Sequence, residues 1–188
     1  MKGDEPRGAA DSLDRARSGD RVAFATLVRS HQRVVYSLAL RMLSHRHEAE
    51  DLAQEVFMQL HRSLAGIQSD THLLFWLRKV TTNLAIDRLR RDRKRATLPL
   101  DDDPGIADEP LESDPLLQRR LRELLALLPA DPRAVVVLRY QEDLDPTEIA
   151  ETLEMSLNTV KSHLRRSIAT LREGLADSSV TPLSRDSL

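Results

Sequence analysis

The chain contains no cysteine, which excludes disulfides and thiolate metal sites. Aromatic residues are scarce: three Phe, two Tyr and one Trp in 188 residues. Leu, Val and Ala must therefore build the core, a composition that favours helices. No apolar run approaches the ~20 residues of a membrane span, and the polar N-terminus lacks a signal-peptide core, so a soluble cytoplasmic protein is expected. There is no Gly-rich phosphate loop and no G-x-S-x-G elbow. The six histidines do not fall at ligand spacing: His45 and His47, two apart, project from different faces of a helix, with no carboxylate–His cluster around them. No nucleophile–base set, metal site or cofactor is expected, and an enzyme is the least favoured class.

What is present is a formal net charge of only -2 that hides strong local asymmetry. Residues 144–166, LDPTEIAETLEMSLNTVKSHLRR, predict two short helices joined by a tight turn. Asp145 is placed to cap the first, Pro146 suits its first turn, and Glu148 stands where a capping box needs it. Ile149, Ala150 and Leu153 give it an apolar stripe. Ser156 is the best cap for the second helix, in which Val160 and Leu164 face inward. Asn158, Thr159, Lys161, Ser162, Arg165 and Arg166 are left outside, the layout of a helix-turn-helix that enters the major groove. No acid lies between Leu157 and Leu171, whereas a merely soluble face mixes signs. The turn, Glu154-Met155-Ser156, lacks the common Gly, so another residue must take any left-handed position.

Upstream, residues 1–11 are polar and are expected to be disordered. A short helix is predicted over residues 12–18, stopped by Gly19. Asp20 can cap a long amphipathic helix ending near Leu43, with Phe24, Leu27, Val28, Val34, Val35, Leu38 and Met42 at helical spacing. A further helix is predicted over residues 47–64, with Ala49, Leu52, Ala53, Val56, Phe57, Leu60 and Leu64 inward. Its outer face carries Glu48, Asp51, Gln54 and Glu55. That face fits a solvated helix start, where acids are favoured, and a docking patch for a basic partner equally well.

A loop over residues 65–72 leads to a helix from His72 to about Arg93, with Thr71 as its expected cap. Leu73, Leu77, Val80 and Leu84 form one stripe; Trp76, Asn83, Asp87 and Arg90 form a neighbouring one. Trp76 is more readily core than base-stacking platform. Residues 78–95 hold eight basic side chains (Arg78, Lys79, Arg88, Arg90, Arg91, Arg93, Lys94, Arg95) against Asp87 and Asp92. That run suits a solvated helix end or, as the favoured reading, a phosphate-binding surface.

Residues 96–115 hold seven acids, four Pro and no Lys or Arg, a linker extended by Pro and self-repulsion. The predicted fold is all-α: two small helical domains, residues 12–95 and 116–175, joined by this acidic flexible linker. The second is a four-helix unit containing the helix-turn-helix. It opens with Leu116, Leu117, Leu121, Leu124, Leu125 and Leu128, ends that helix at Pro129, and continues with Ala134, Val135, Val137, Leu138 and Tyr140 after a cap at Asp131. Residues 176–188 are expected to be a mobile tail.

In this order the segments AEDLAQEVFMQLHR (49–62), FWLRKVTTNLAIDRLRR (75–91), LLALLPADPRAVVVLRYQEDL (124–144) and EIAETLEMSLNTVKSHLRRSIATLR (148–172) resemble bacterial RNA polymerase sigma factors of the extracytoplasmic-function (ECF) group. The resemblance runs from Val22 to Leu175. It implies an initiation factor without enzymatic activity, with core RNA polymerase and promoter DNA as partners and an anti-sigma factor as a further one. Glu48, Asp51, Gln54 and Glu55 would lie on the polymerase-docking helix. Residues 67–72 and the helix after them would open and read the −10 element, with Asp70, Asn83, Arg88, Arg90 and Arg91 as DNA contacts. Asn158, Thr159, Lys161, Ser162, His163, Arg165 and Arg166 would read the −35 element. The linker would thread toward the polymerase active site. Ile67 and Ser69 replace an aromatic and a Gly that the family often has in the loop. Glu154 replaces a frequent turn Gly, and His163 a usual Arg; these departures bear on promoter sequence. TVKSH also suits a stand-alone LuxR-type regulator, but such a protein needs a receiver or ligand domain with an α/β pattern, and the first 95 residues show helical periods only.

Overall fold

The computed structural model describes residues 7–95 and 115–178. Most of the predicted linker and tail, residues 96–114 and 179–188, and residues 1–6 lie outside them. Every regular element among the described residues is helical, and the chain divides into two compact units.

The first unit holds α1 (Arg7–Arg17), α2 (Arg21–Leu43), α3 (Arg46–Ser63), a 3-10 turn (Leu64–Gly66) and α4 (Asp70–Arg95). Helix α2 packs against α1, α3 and α4. Helix α1 begins at Arg7, so residues 7–11, expected to be disordered, are helical, and Leu13 and Ala16 bury its inner face. Asp20 caps α2 as expected, accepting from the backbone N–H groups of Val22 and Ala23. Those bonds, foremost the one from Ala23, and Arg15 at 2.7 Å hold its carboxyl below the usual carboxylate range. Leu27, Val35, Leu38 and Met42 are buried, while Phe24, Val28 and Val34 are only half-buried. The chain leaves α2 through Ser44 in the left-handed region (φ 64). Ala49, Leu52, Val56 and Leu60 bury the inner face of α3 against α2 and α4, with Phe24 and His61 in edge-to-face contact at 5.0 Å.

The second unit holds α5 (Pro115–Leu127), α6 (Ala130–Tyr140), α7 (Pro146–Leu153) and α8 (Leu157–Ser178). Helix α8 packs against the other three. It runs to Ser178, so residues 176–178, expected to belong to the mobile tail, are helical. A Cβ at Gly174 would stand 2.4 Å from Leu124 Cδ2, so the glycine permits a close approach of α8 to α5. Around that contact Leu124, Leu125, Leu128, Val136 and Leu171 form a core cluster flanked by Leu121 and Leu175.

Two further expectations fail in this unit. Pro129, not Asp131, occupies the cap position of α6, and no side chain caps it. Leu116 and Leu117 are exposed at 75% and 49%, and Tyr140 at 67%, so they lie outside the core. In their place the unit buries Arg133, 5% exposed, whose guanidinium donates to the carbonyls of Ala126 and Leu128, the latter at 3.2 Å. A cation at the C-terminal end of α5 suits the helix dipole. Burial pulls its pKa down to about 10, so it stays charged at neutral pH.

Candidate nucleic-acid interface

The helix-turn-helix is fixed from both sides of its turn. Asp145 Oδ1 accepts from the N–H groups of Thr147 (2.6 Å) and Glu148 (3.0 Å), and the Glu148 carboxylate accepts from Asp145 N–H at 2.7 Å, the predicted capping box. These bonds, the one from Glu148 first, hold the Asp145 carboxyl below its usual range. Arg139 steadies the entry by donating to the Leu144 carbonyl at 3.0 Å and facing Asp143 at 3.6 Å. Glu154 takes the left-handed position (φ 53) that the missing Gly left open. Ser156 then caps α8, its Oγ accepting from Thr159 N–H at 3.1 Å.

Val160 is fully buried and Leu164 half-buried, so the register of α8 is set. Asn158, Thr159, Lys161, Arg165 and Arg166 are exposed; Ser162 and His163 are half-buried. Among the described residues no carboxylate pairs with Lys161, Arg165 or Arg166. The exposed N-terminal turns of α8 thus present polar donors and positive charge together, as a groove-reading helix requires.

In the first unit the cap of α4 is Ser69, not Thr71. Ser69 Oγ accepts from His72 N–H at 3.1 Å, and the helix starts two residues earlier than expected. His72 Nδ1 in turn accepts from Gln68 N–H at 3.2 Å. The spacing Ser69-x-x-His72 is that of a capping box with His in the Glu/Gln position, a signal the sequence carried but the capping rules do not name. Asp70 sits in the first turn of α4, favoured there by the dipole; its Oδ1 is buried without a hydrogen-bond partner among the described residues.

Along α4, Leu73, Leu77, Thr81, Thr82, Ala85 and Ile86 are buried, while Asn83, Asp87, Arg90 and Arg91 are exposed and Trp76 is half-buried. Arg91 bends back to the Asp87 carbonyl at 3.3 Å. Arg88 differs from the other basic candidates. Its guanidinium donates to Glu55 Oε2 at 2.8 Å and to the Glu48 carbonyl at 3.0 Å, with the side chain only 20% exposed. Arg88 thus clamps α4 to α3, and two of the four expected docking residues contribute to the clamp. Asp51 and Gln54 stand exposed on the same helix, with Glu48 and Glu55 half-buried.

Among the described residues no group of three or more His, Asp or Glu could hold a metal ion, and no helix is long and apolar enough to cross a membrane.

Comparison with known proteins matches residues 27–95 to Sigma-70 region 2 and residues 118–171 to Sigma-70, region 4. The chain is 32% identical over 180 residues to the ECF RNA polymerase sigma factor SigW of Bacillus subtilis, covering 88% of this chain and 95% of that relative. It is 39% identical over 182 residues to the ECF RNA polymerase sigma factor SigE of Mycolicibacterium smegmatis, covering 92% and 69%. Its fold is shared with CnrH, solved in complex with the cytosolic domain of CnrY (TM-score 0.64, 23% identity, covering 89% of this chain and 96% of that one). It is shared also with RpoE of Bartonella quintana, solved with the anti-sigma factor NepR (TM-score 0.65, 21% identity, covering 81% and 96%).

Proposed function

The chain belongs to the ECF RNA polymerase sigma factors, and from that membership we propose how its residues divide the work of promoter recognition. As a sigma factor it directs RNA polymerase to promoters. The observation that carries the assignment of roles is the joining, in one chain, of two separately compact units that each expose a basic helical surface.

In the second unit, Asn158, Thr159, Lys161, Ser162, His163, Arg165 and Arg166 read the −35 element. The polar side chains of the first turn approach base edges, and the cations that follow approach phosphates. In the first unit, the loop before α4, with Asp70 in the first turn of α4 and Asn83, Arg90 and Arg91 further along it, engages the −10 element. Arg88 serves that surface by holding α4 in place on α3. Glu48, Asp51, Gln54 and Glu55 on α3 dock the polymerase core, with Asp51 and Gln54 as its exposed centre. The acidic residues between the units thread toward the active-site cleft of the polymerase.

Opening duplex DNA forfeits stacking of ~1.4 kcal/mol per base-pair step. Long-range attraction from Lys and Arg is salt-dependent and reads no sequence. Two small units on a tether gain affinity when a third body fixes their separation and raises their effective concentration at both elements. The polymerase core is that body, so the free protein binds promoter duplex weakly and the holoenzyme binds it well. The protein acts with cytoplasmic polymerase and needs no catalytic group of its own. CnrH and RpoE are seen with partners, RpoE with an anti-sigma factor; this chain is proposed to have an anti-sigma partner as well.

The test is reconstituted transcription. Purified core polymerase, this protein and a library of host promoter fragments are combined, with core alone as control. Defined start sites that require the protein support the assignment. Folded protein that neither binds core nor directs starts overturns it, as does tight promoter-specific binding by the isolated chain.

A further inference from the structure

The segment from Ile67 through the first turn of α4 is held more tightly than its exposed, polar sequence implies. Ile67, 1% exposed, anchors one end and donates to the Leu64 carbonyl at 3.1 Å. Leu73, fully buried, anchors the other, its N–H on the Ser69 carbonyl at 2.8 Å. Between these anchors, Gln68, Ser69 and Thr71 are exposed and Asp70 is half-buried. Two reciprocal bonds cross the segment: Ser69 Oγ takes His72 N–H, and His72 Nδ1 takes Gln68 N–H.

The second bond is the informative one. The backbone N–H of Gln68 lies outside the helix and has no place in its hydrogen-bond ladder. His72 is half-buried on the first turn of α4, so its ring reaches back over the helix start. Because a backbone N–H can only donate, Nδ1 accepts and the ring proton sits on Nε2. Ser69 and His72 together thus do what Ser and Glu do in a capping box, with the ring satisfying the donor one residue further out.

We propose that His72 is a positioning residue for −10 recognition: its ring freezes the backbone of residues 67–69 in the conformation that presents the loop to the separated promoter strand. The proposal rests on the reading of that loop as the −10 contact. Its physical content is preorganisation. Without the Gln68–His72 bond the loop samples further conformers, and apparent affinity falls by the fraction that remains competent. One net hydrogen bond corresponds to roughly a two- to tenfold change in that fraction.

The experiment uses the full chain assembled with core polymerase on a promoter it opens. Opening is followed by a fluorescent base analogue in the −10 element, and core binding is measured separately. His72→Leu keeps an apolar body but removes the acceptor; His72→Gln restores an acceptor at the capping-box position. The expected result is that His72→Leu slows opening about fivefold with core affinity unchanged, and that His72→Gln recovers to within about twofold of the parent. Opening by His72→Leu at the parental rate overturns the proposal, and so does His72→Gln failing as badly as His72→Leu. Gln68→Ala and Asp70→Ala separate the two layers. If neither these nor changes in the −10 sequence alter opening, the reading of the loop itself fails. If they do while His72→Leu does not, only the role of His72 is lost.

Discussion

Replacing Arg133 by Met tests the strongest buried polar arrangement in the second unit. The side chain is 5% exposed and its guanidinium reaches two carbonyls at the end of α5, those of Ala126 and Leu128. Hydrogen bonds to charged groups contribute ~1.5–3 kcal/mol each. Burial, which pulls the Arg133 pKa down to about 10, opposes them. With burial opposing the bonds and Met refilling most of the stem volume, the expected loss is about 2 kcal/mol, less than two such bonds alone would give. In a unit of this size 1 kcal/mol moves Tm by roughly 4–8 °C, which sets an expected fall of roughly 8–16 °C. Thermal unfolding followed by amide NMR resolves the two units: signals from residues 115–178 should melt early while those from residues 7–95 keep their midpoint. A fall below ~3 °C in the second unit, or an equal fall in the first, would refute the reasoning. Arg133→Lys keeps the charge but not the planar fork, and should lose about half as much.

The Arg88 clamp predicts a separation of effects: Arg88→Ala should lower the stability of the first unit by about 1 kcal/mol, discounted for the partly exposed Glu55. Arg90→Ala and Arg91→Ala should weaken promoter binding at unchanged stability, with denaturant midpoints and DNA titrations as the readouts. On α8, Lys161→Ala and Arg165→Ala should each reduce the slope of log K against log[salt] by about 0.9 if the lost contact is a phosphate; an unchanged slope with relaxed −35 preference would instead mark a base contact. Asp145 carries a depressed pKa in the folded chain, so its stabilising contribution is fully present above its unfolded value near 3.8 and is lost as pH falls through the lower folded value. Asp145→Asn keeps a cap without the charge, and should flatten the loss of second-unit stability between pH 5 and pH 2; an unaltered pH profile would count against the cap as its source.

The elements that were legible in the sequence are those whose signals are local. Asp145 with Glu148, Asp20 and Ser156 are side chains bonding backbone groups two or three residues away, and sequence spacing alone specifies them. The failures are those in which tertiary contact decides. Residues 176–178 look like the start of a tail, yet α8 continues through them, with Gly174 close against Leu124 of α5. Arg133 looks like a surface residue, because nothing in its neighbourhood announces that the end of α5 will deliver two carbonyls to it. Leu116, Leu117 and Tyr140 have apolar character, yet among the described residues they stand exposed. Among the site residues, α8 was legible because Val160 and the missing acids fix one face. Arg88 was not, because its partner Glu55 lies 33 residues away on another helix.

Helix α8 has a geometry with mechanical meaning. The turn proposed to face DNA and the turn that leans on α5 belong to one uninterrupted rod. From Gly174 to Asn158 the rod measures about 24 Å, sixteen residues at ~1.5 Å each. If the glycine contact is taken as a fulcrum, the end proposed to read the groove is the far arm of a lever. A tilt of about 5° at the fulcrum swings Asn158 by about 2 Å over that arm, more than the ~0.5 Å by which a hydrogen bond to a base edge can stretch. Helices α6 and α7 pack on the same rod and hold that swing in check, so the proposed reading of sequence depends on how firmly all four helices of the unit grip one another.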